Sequence, residues 1–355
     1  PEKEKEKEIE SEINSSTSAN QEIPPKKKKK KKEMYMKTKR ASVEKPLIFK
    51  DRHTTTQEIK KRADQGDPFA MYQYGISMYH PGIDPGIPEI YHAAMKKQPD
   101  AMYWLAIHYL NSLDGFTCDL RRAYKFLRSA AHRKHLLAQF SFGFYMENGV
   151  RIKPMRKSIT GELIADKNGF VWPIDLRRGF KYLKKAANKN HPMAAYLIAR
   201  KYETGIDTIY QISNLHDKAG VLVDNIRFVV PKDDALCTKY YRVAAINGNL
   251  PSMIKYAERA NNGIGMDPDY IESAFFLKKA SLSDDQVALY NYGVHLYKGT
   301  AGLTSNFADS LENLLKSAKK GYQPAAKFLL EIIESHPDEI EAIQNDIPNL
   351  KKLAE

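Results

Sequence analysis

A pair of small residues, with a third small residue eight positions after the first, recurs along most of this chain. The seven instances begin at Arg62, Ala93, Ala130, Ala186, Ala244, Ala280 and Ser317, and only the first replaces a small residue by arginine. The steps between them are 31, 37, 56, 58, 36 and 37 residues. Such a period is typical of stacked helical units, each of which buries its apolar face against its neighbours. The sequence therefore predicts a repeat protein, an architecture that presents surfaces for binding.

One unit shows why the small residues are needed. Asp119 precedes a stretch with apolar residues at helical spacing, so we expect a helix that Asp119 caps. A second apolar stripe begins at Leu137, after a short basic link. Two helices joined this tightly are expected to cross closely at the small residues, with Phe126 and Leu127 filling the gap to the next unit. The same arrangement begins again at Asp175, Asp233 and Asp269.

Further positions carry a family resemblance. They are Gly75 with Tyr79, Ala106 with Tyr109, Gly143 with Gly149, Lys185 to Ala187, Ala199 with Gly205, Asn247 with Gly248, Gly293 with Gly299, and Lys320 with Gly321. Together with the small-residue pairs they resemble the Sel-1-like repeat family, which is related to the tetratricopeptide repeats. The resemblance covers about residues 54 to 335. It implies an all-α, right-handed α-solenoid of about seven helix pairs, which scaffolds protein complexes and catalyses no reaction.

Composition sets further limits. With 355 residues, of which 42% are hydrophobic and 28% charged, the chain is long enough to bury a continuous core. No run approaches eighteen apolar residues, so no transmembrane helix is predicted. The two cysteines, Cys118 and Cys237, fall in different units, whereas exported relatives often carry a cysteine pair in each repeat. We therefore expect a reducing compartment, cytoplasmic or nuclear. The chain begins at Pro1, which leaves a removed targeting peptide open.

The first 46 residues have a different character, and the repeat domain is predicted to span 47–355. Seven consecutive lysines lie in this tail: Lys26, Lys27, Lys28, Lys29, Lys30, Lys31 and Lys32. Residues 24–45 carry +9 of the chain's net +13. Because such a segment cannot bury enough apolar surface, we expect it to be disordered. Three interpretations stay open: a solvated spacer, a nuclear-import signal, and attraction to nucleic acid or anionic membrane. Ser42 follows two basic residues, as in a kinase site.

The two long steps each add about twenty residues to a normal unit. The additions, at about 153–174 and 206–231, contain β-rich runs around the turn signals Asp166–Gly169 and Asp217–Gly220, so two β-hairpins are predicted. They are either solvent-exposed insertions without a binding role or a joint β-rich lobe that binds a partner. We favour the lobe, because exposed valine, isoleucine and tryptophan need cover from each other or from a partner. The candidate anchors are Phe170, Trp172, Tyr210 and Phe228.

Chemistry-bearing motifs are missing from the sequence. It contains no Gly-x-x-x-x-Gly-Lys-Ser/Thr loop, no His-Glu-x-x-His, no Gly-x-Ser-x-Gly and no metal-spaced Cys/His cluster. Trp104 and His108 share a helix face, but a packed histidine is the commoner explanation. Most carboxylates are placed as helix caps. We therefore predict a chain that is not an enzyme and that binds no cofactor and no metal.

The leading functional hypothesis is a non-enzymatic scaffold or adaptor. It would assemble or regulate a multiprotein complex by binding a protein or peptide along the concave solenoid face and the hairpin lobe. A nuclear or nucleic-acid-associated protein tethered by the basic tail is the first alternative. The second alternative is a regulatory fragment of a larger enzyme.

Overall fold

The computed structural model describes residues 52–79, 85–150, 172–213, 222–336 and 341–355. Its first eight helices are α1 (Arg52–Asp64), α2 (Pro68–Met78), α3 (Ile87–Met95), α4 (Pro99–Asn111), α5 (Leu120–His132), α6 (Leu136–Asn148), α7 (Leu176–Ala187) and α8 (Pro192–Thr204). Two strands, β1 (Ile206–Ser213) and β2 (Leu222–Val230), pair in one sheet. The remaining helices are α9 (Asp234–Ile246), α10 (Leu250–Asn261), α11 (Tyr270–Ser281), α12 (Gln286–Lys298), α13 (Phe307–Lys319), α14 (Gln323–Ser335) and α15 (Ile347–Ala354).

Helices α1 to α14 form seven helix pairs, each joined by a tight turn, which confirms the predicted all-α repeat fold of the solenoid class. A repeat is counted below from one tight turn to the next, so that α2 or α4 is the first helix of a repeat and α3 or α5 is the second. The sheet of β1 and β2 confirms the second hairpin insertion. The described helices fall into two compact units. The N-terminal unit holds α1 to α7 together with Thr208–Phe228 of the hairpin, and the C-terminal unit holds α8 to α15.

Aspartate caps begin the second helix of several repeats, as the sequence predicts. The Oδ1 atom of Asp119 accepts the backbone N–H of Arg122 at 2.8 Å, and Asp175 does the same for Arg178. Asp233 and Asp269 cap α9 and α11 in the same way. Each cap satisfies a backbone donor that the first helical turn leaves unpaired. The cap therefore fixes where the helix begins.

The small residues lie at the tight turns that join one repeat to the next. Ala130 and Ala131 end α5 and are buried, as is Ala138 in α6. The turn between them closes through Lys134, whose φ of 68° is left-handed, while its N–H bonds to the carbonyl of Ala131 and the next N–H bonds to that of Ala130. This is a Schellman arrangement. Left-handed residues occupy the equivalent position in the other turns: Gly66, Lys97, Asn190, Gly248, Asp284 and Gly321.

A lysine link joins several successive tight turns, and the sequence did not suggest it. The lysine just before a left-handed residue reaches back to the left-handed residue of the preceding turn. Lys96 Nζ donates to the carbonyl of Gly66 at 3.0 Å, and Lys320 Nζ donates to the Asp284 carboxylate at 2.5 Å. In the N-terminal unit, Lys189 donates to the carbonyl of Lys134 in the same manner. The turns of neighbouring repeats are thereby fastened to each other.

A close approach between helices lies across a long connection. A Cβ atom on Gly143 in α6 would lie 2.8 Å from the backbone nitrogen of Leu183 in α7, so these helices meet at backbone contact across the inserted segment. The close crossing that the sequence predicts within the tightly joined pair stays a prediction. Phe126 was expected to pack towards the following unit, which was wrong: its ring meets the rings of Tyr91 and Tyr109, which precede it.

The C-terminal unit has a polar network in its interior. Glu272 is buried and accepts from Arg242 Nε at 2.7 Å and from the hydroxyl of Tyr256. Arg259, also buried, donates to the hydroxyl of Thr238 and to Asp234 Oδ1, each at 2.7 Å. Burial, followed by the charge of Glu272, raises the pKa of Tyr256. These bonds join α9, α10 and α11, so we interpret the network as structural.

Several predictions fall outside the described residues. They concern the tail 1–46 with its lysine run, Ser42, Phe170, the first hairpin up to residue 171, and the turn at Asp217–Gly220. The disorder of the tail, the boundary at 46/47, the joint lobe and the right-handed winding stay predictions.

Candidate protein-binding surface

The first helices of three repeats in the N-terminal unit present apolar side chains at matching positions. In each of α2, α4 and α6, three residues share one helix face. The first lies just before the buried alanine, and the other two lie three and seven positions after the first. We call this set the aromatic face: Phe69, Tyr72 and Ile76; Asp100, Tyr103 and Ile107; Leu137, Phe140 and Phe144. Eight of the nine are apolar or aromatic, and Asp100 is the exception.

Much of this face is open to solvent. The exposed fractions are 42% for Phe69, 45% for Leu137 and 38% for Phe144. Tyr72, Tyr103 and Phe140 are half-buried. Large apolar side chains at an interface contribute most when their edges are already packed by neighbours, because less side-chain freedom is then lost on binding. The face has this partly packed character.

Contacts between neighbouring helices show that the three rows are contiguous. Tyr72 of α2 packs against the core cluster that contains Met102 of α4. Burial, followed by the charge of Asp100, raises the pKa of Tyr72 to about 12. Asp100 Oδ1 lies 3.2 Å from His135 Nε2, and the His135 ring lies 4.8 Å from the Tyr103 ring, centroid to centroid. His135 also caps α6 by accepting the N–H of Ala138. The face therefore runs from α2 through α4 to α6.

Asp100 gives the aromatic face one fixed negative charge. The hydrogen bond from His135 holds the pKa of Asp100 below its usual value, against the effect of burial, and Gln98 Nε2 adds a bond at 2.7 Å. Because His135 Nδ1 accepts from the backbone, Nε2 carries the proton that it shares with Asp100. A partner with a cation among apolar anchors would match this pattern.

Beside the face, Trp104 and His108 belong to a packed cluster. Their rings stack at 3.4 Å, Tyr79 meets Trp104 edge-on at 5.2 Å, and His108 Nε2 lies 3.3 Å from Asp114 Oδ2. His108 is buried. The cluster joins the loop after α4 to the helix, which agrees with the prediction that His108 is a packing residue.

The candidate anchors of the insertions lie against the helices. Trp172 is 1% exposed and packs on Tyr124, Phe142 and Tyr145 at ring distances between 5.1 and 6.4 Å. The chain itself therefore supplies the cover that this tryptophan needs. Phe170 lies outside the described residues.

The second hairpin is attached to the start of α7. Phe228 is 6% exposed, and its ring meets that of Phe180 at 5.8 Å. Tyr210 donates to Asp175 Oδ1 at 3.1 Å, and burial is the main cause that raises its pKa. Ile209, which the sequence reading passed over, points outward and is 66% exposed. The partner-binding role of the four anchors stays a prediction.

Within 52–79, 85–150, 172–213, 222–336 and 341–355, no group of three or more His, Cys, Asp or Glu side chains is arranged for a metal ion. Over the same ranges, no helix is long and apolar enough to cross a membrane.

Six segments of the chain match the model of a known protein family. The Sel1 repeat model matches residues 68–95, 99–135, 170–191, 227–249, 250–285 and 286–322. The chain belongs to the Sel1 repeat family. This confirms the resemblance seen in the small-residue pairs and glycine positions, and family membership of this kind indicates a module for protein interaction. All three rows of the aromatic face lie within or next to matched Sel1 segments, since the first two matches include α2 and α4 and the second ends at His135.

Individual relatives of this Sel1 repeat protein are distant. The chitin synthase regulator SKT5 of Saccharomyces cerevisiae is 25% identical over 187 residues, which is 51% of this chain and 23% of the yeast protein. The chain thus spans about a quarter of that relative's length. The crystal structure of c5321, a protective antigen of uropathogenic Escherichia coli with an SLR fold, is 19% identical with a TM-score of 0.55, covering 80% of this chain and 52% of that one. At this identity the likeness concerns the fold alone.

A Sel1 repeat protein from Oxalobacter formigenes is 18% identical and has a TM-score of 0.49, over 80% of this chain and 96% of that one.

Proposed function

We propose that this Sel1 repeat protein is a non-enzymatic scaffold, which assembles or regulates a multiprotein complex by holding a partner polypeptide on the aromatic face. The single observation that carries the proposal is the repeated placement of apolar side chains at one helix face, exposed on α2 and α6 and half-buried on α4. Three neighbouring repeats supply equivalent rows, so the surface is built by the repeat itself. In this proposal the chain catalyses no reaction and binds no cofactor.

The geometry restricts the chemistry of the partner. Packed helices lie about 8–10 Å apart, and an extended peptide advances about 3.3 Å per residue. An apolar residue at about every third position would therefore meet one row after another. A lysine or arginine between the anchors would pair with Asp100, whose carboxylate stays ionised near neutral pH because its pKa is lowered. The expected ligand is a short apolar segment with one central cation.

The regulatory part of the proposal draws on the yeast relative. SKT5 is described as a chitin synthase regulator, and this chain matches about a quarter of it. A role in regulating a larger enzyme assembly is therefore part of the proposal. A cytoplasmic or nuclear location is also part of it, supported by the sequence having only Cys118 and Cys237, in different repeats, and no cysteine pair in each repeat. The hairpin insertions, with Phe170, Trp172, Tyr210 and Phe228, are proposed as a second contact region.

A displayed library of random peptides tests the proposal with the full chain as target. The selected peptides should share apolar residues at a spacing of about three and one basic residue. They should bind the double variant Leu137→Ser, Phe144→Ser at least about tenfold more weakly, since aromatic anchors dominate interface energetics. Leu282→Ser is the matched control, because Leu282 is an exposed leucine in a tight turn of the C-terminal unit.

Affinity purification of the same three proteins from cells extends the test. Partners recovered by the native chain and by Leu282→Ser should be depleted with the double variant. Equal recovery with all three proteins would remove the aromatic face as the binding surface.

A further inference from the structure

A strongly basic surface lies on the second helices of two repeats in the N-terminal unit. Helices α5 and α7 contain nine Lys or Arg residues and no Asp or Glu: Arg121, Arg122, Lys125, Arg128, Arg177, Arg178, Lys181, Lys184 and Lys185. The corresponding helices of other repeats are interrupted by acidic residues, namely Glu89 in α3, Asp234 in α9, Glu272 in α11 and Asp309 in α13. The basic surface therefore belongs to these two repeats in particular.

The two helices meet at a shared line of contact, which concentrates the charge. The hydroxyl of Tyr182 in α7 lies 3.1 Å from His132 Nδ1 in α5. Lys185 Nζ lies 4.9 Å from the centre of the Tyr182 ring. Arg128 lies one helical turn before His132, and its carbonyl oxygen is 2.9 Å from His132 Nδ1. Burial raises the pKa of Tyr182, and the charges of Arg128 and Arg178 oppose that rise. Cations from both helices thus flank one tyrosine. We call Arg128, His132, Lys134, Lys185 and Lys189 the basic seam.

The adjoining tight turns bring further positive charge. Lys189 Nζ donates to the carbonyl of Lys134 at 2.5 Å, which places the lysine of one tight turn on the preceding turn. Burial lowers the pKa of Lys189, and the charges of Lys134 and Lys185 lower it further. Like charges are therefore crowded here, at a cost that a bound anion would relieve.

The acidic residues nearest in sequence are already engaged at the other end of the helices. Asp119 pairs with Arg122 at 3.3 Å, and Asp175 pairs with Arg178 at 3.4 Å, where both carboxylates also serve as caps. Within the ranges that the structure describes, no carboxylate forms an ion pair with Arg128, Lys185 or Lys189. The positive charge of the seam is thus uncompensated by the described part of the chain.

We propose that the basic seam binds a segment of a partner polypeptide rich in Asp and Glu. This second binding surface goes beyond the aromatic face and does not depend on it. Arg128 suits carboxylates because its guanidinium forms paired hydrogen bonds with them. Helices of this length are about 20 Å long, which an extended segment of about six residues spans.

Two other polyanions fit the seam less well. Single-stranded nucleic acid is held by stacking on aromatic rings as well as by cations. A membrane surface is often engaged by apolar side chains that enter the lipid interface. Among the described residues of α5 and α7, no large apolar or aromatic side chain is fully exposed, so positive charge is the main feature that this surface offers. A flexible acidic polypeptide needs only that charge.

The test uses a fluorescent peptide of about twelve residues that contains only Glu, Asp and Gly, a length that spans both helices. Its binding is followed by anisotropy near physiological salt. All proteins are full-length and carry glutamine at positions 26–32, so that the tail lysines do not contribute. The test variant is Arg128→Glu, Lys185→Glu. The control is Lys278→Glu, Lys327→Glu, which changes net charge equally at exposed positions of the C-terminal unit. Circular dichroism verifies that all three proteins fold.

We expect the peptide to bind the native and control proteins and to bind the test variant at least about tenfold more weakly, since each reversal replaces attraction by repulsion. Equal affinity for the test and control variants would overturn the proposal. So would no binding to the native protein. Competition experiments compare the unlabelled peptide with single-stranded RNA and with phosphatidylserine vesicles, each expressed as the concentration of negative charge. If the RNA or the vesicles displace the labelled peptide at a lower concentration than the unlabelled peptide does, the seam binds nucleic acid or membrane instead, and the proposal is overturned.

Discussion

The Nε2 atom of His135 lies 3.2 Å from the Oδ1 atom of Asp100, so the residue that caps the first helix of one repeat pairs with the first turn of the preceding repeat's first helix. The pair couples two rows of the aromatic face. It also explains why the only charged member of that face has a fixed position.

The first prediction concerns Asp100→Asn. The pKa of Asp100 is lowered in the folded protein, chiefly by His135, so the ionised carboxylate stabilises the fold above the unfolded pKa near 3.8. That contribution is lost as pH falls through the lowered folded pKa. We expect the variant to lose less than about 1 kcal/mol at neutral pH, since the carboxylate is partly exposed. Urea unfolding should show the difference from the native protein shrinking below about pH 4. A difference that does not change with pH would contradict the assignment.

The second prediction concerns Gly143→Ala. An alanine would ordinarily favour the helix by about 1 kcal/mol, but its Cβ would meet the backbone of α7, which cannot move aside as a side chain can. We expect a net loss of about 1–3 kcal/mol in the free energy of unfolding. Gly293→Ala is the matched control, because its first contacts are side-chain atoms of Leu314. Similar effects of both changes would argue against a backbone crossing at Gly143.

The third prediction uses the tight turns. Lys97 has a φ of 68°, a conformation that costs a side-chain-bearing residue about 1 kcal/mol or more. Lys97→Gly should therefore raise the free energy of unfolding by about 1 kcal/mol. Gly248→Lys, at the equivalent position with a φ of 88° and open space around it, should lower it by a similar amount. Thermal unfolding measures both, and shifts of the same sign would refute the shared geometry.

The fourth prediction separates stability from binding at Trp172. Because this side chain is buried among three aromatic rings, Trp172→Ala should cost about 3–5 kcal/mol of stability. Ile209→Ala, on the outward side of the second hairpin, should change stability by less than about 0.5 kcal/mol. If the tryptophan variant unfolds like the native protein, its side chain is not part of the core. A partner lost with Ile209→Ala would support binding at the hairpin.

The repeats could be predicted from the sequence because their signals are local. Asp119 and Asp175 accept hydrogen bonds from backbone N–H groups only three residues away. The buried pair Ala130 and Ala131 lies at the end of one helix and indicates the tight turn that follows. The burial of Trp172 could not be predicted in this way. Its neighbours Tyr124 and Phe142 lie 48 and 30 positions earlier, so nothing in the inserted segment itself shows that they cover the ring.

The aromatic face was within reach of the sequence but was overlooked. Aligning the sequences of α2, α4 and α6 on Ala70, Ala101 and Ala138 brings the three rows into register. The binding residues predicted from the sequence lie in the insertions instead. The basic seam was harder to find, because it depends on the contact of Tyr182 with His132 between two repeats. Lys97 and Lys134 gave one indication in the sequence, since glycine occupies the equivalent left-handed position in other turns.

The unequal connections of each repeat also have a practical consequence. Both insertions enlarge the longer connections, after Gly149 and Gly205, while every tight turn keeps its length because a left-handed residue and, in several cases, a lysine link depend on it. A reporter domain or affinity tag grafted between β1 and β2 should therefore be carried without harm. The same graft beside Lys134 would break the contacts between two repeats. For the same reason, a chain that is to be divided into stable parts should be cut at a tight turn.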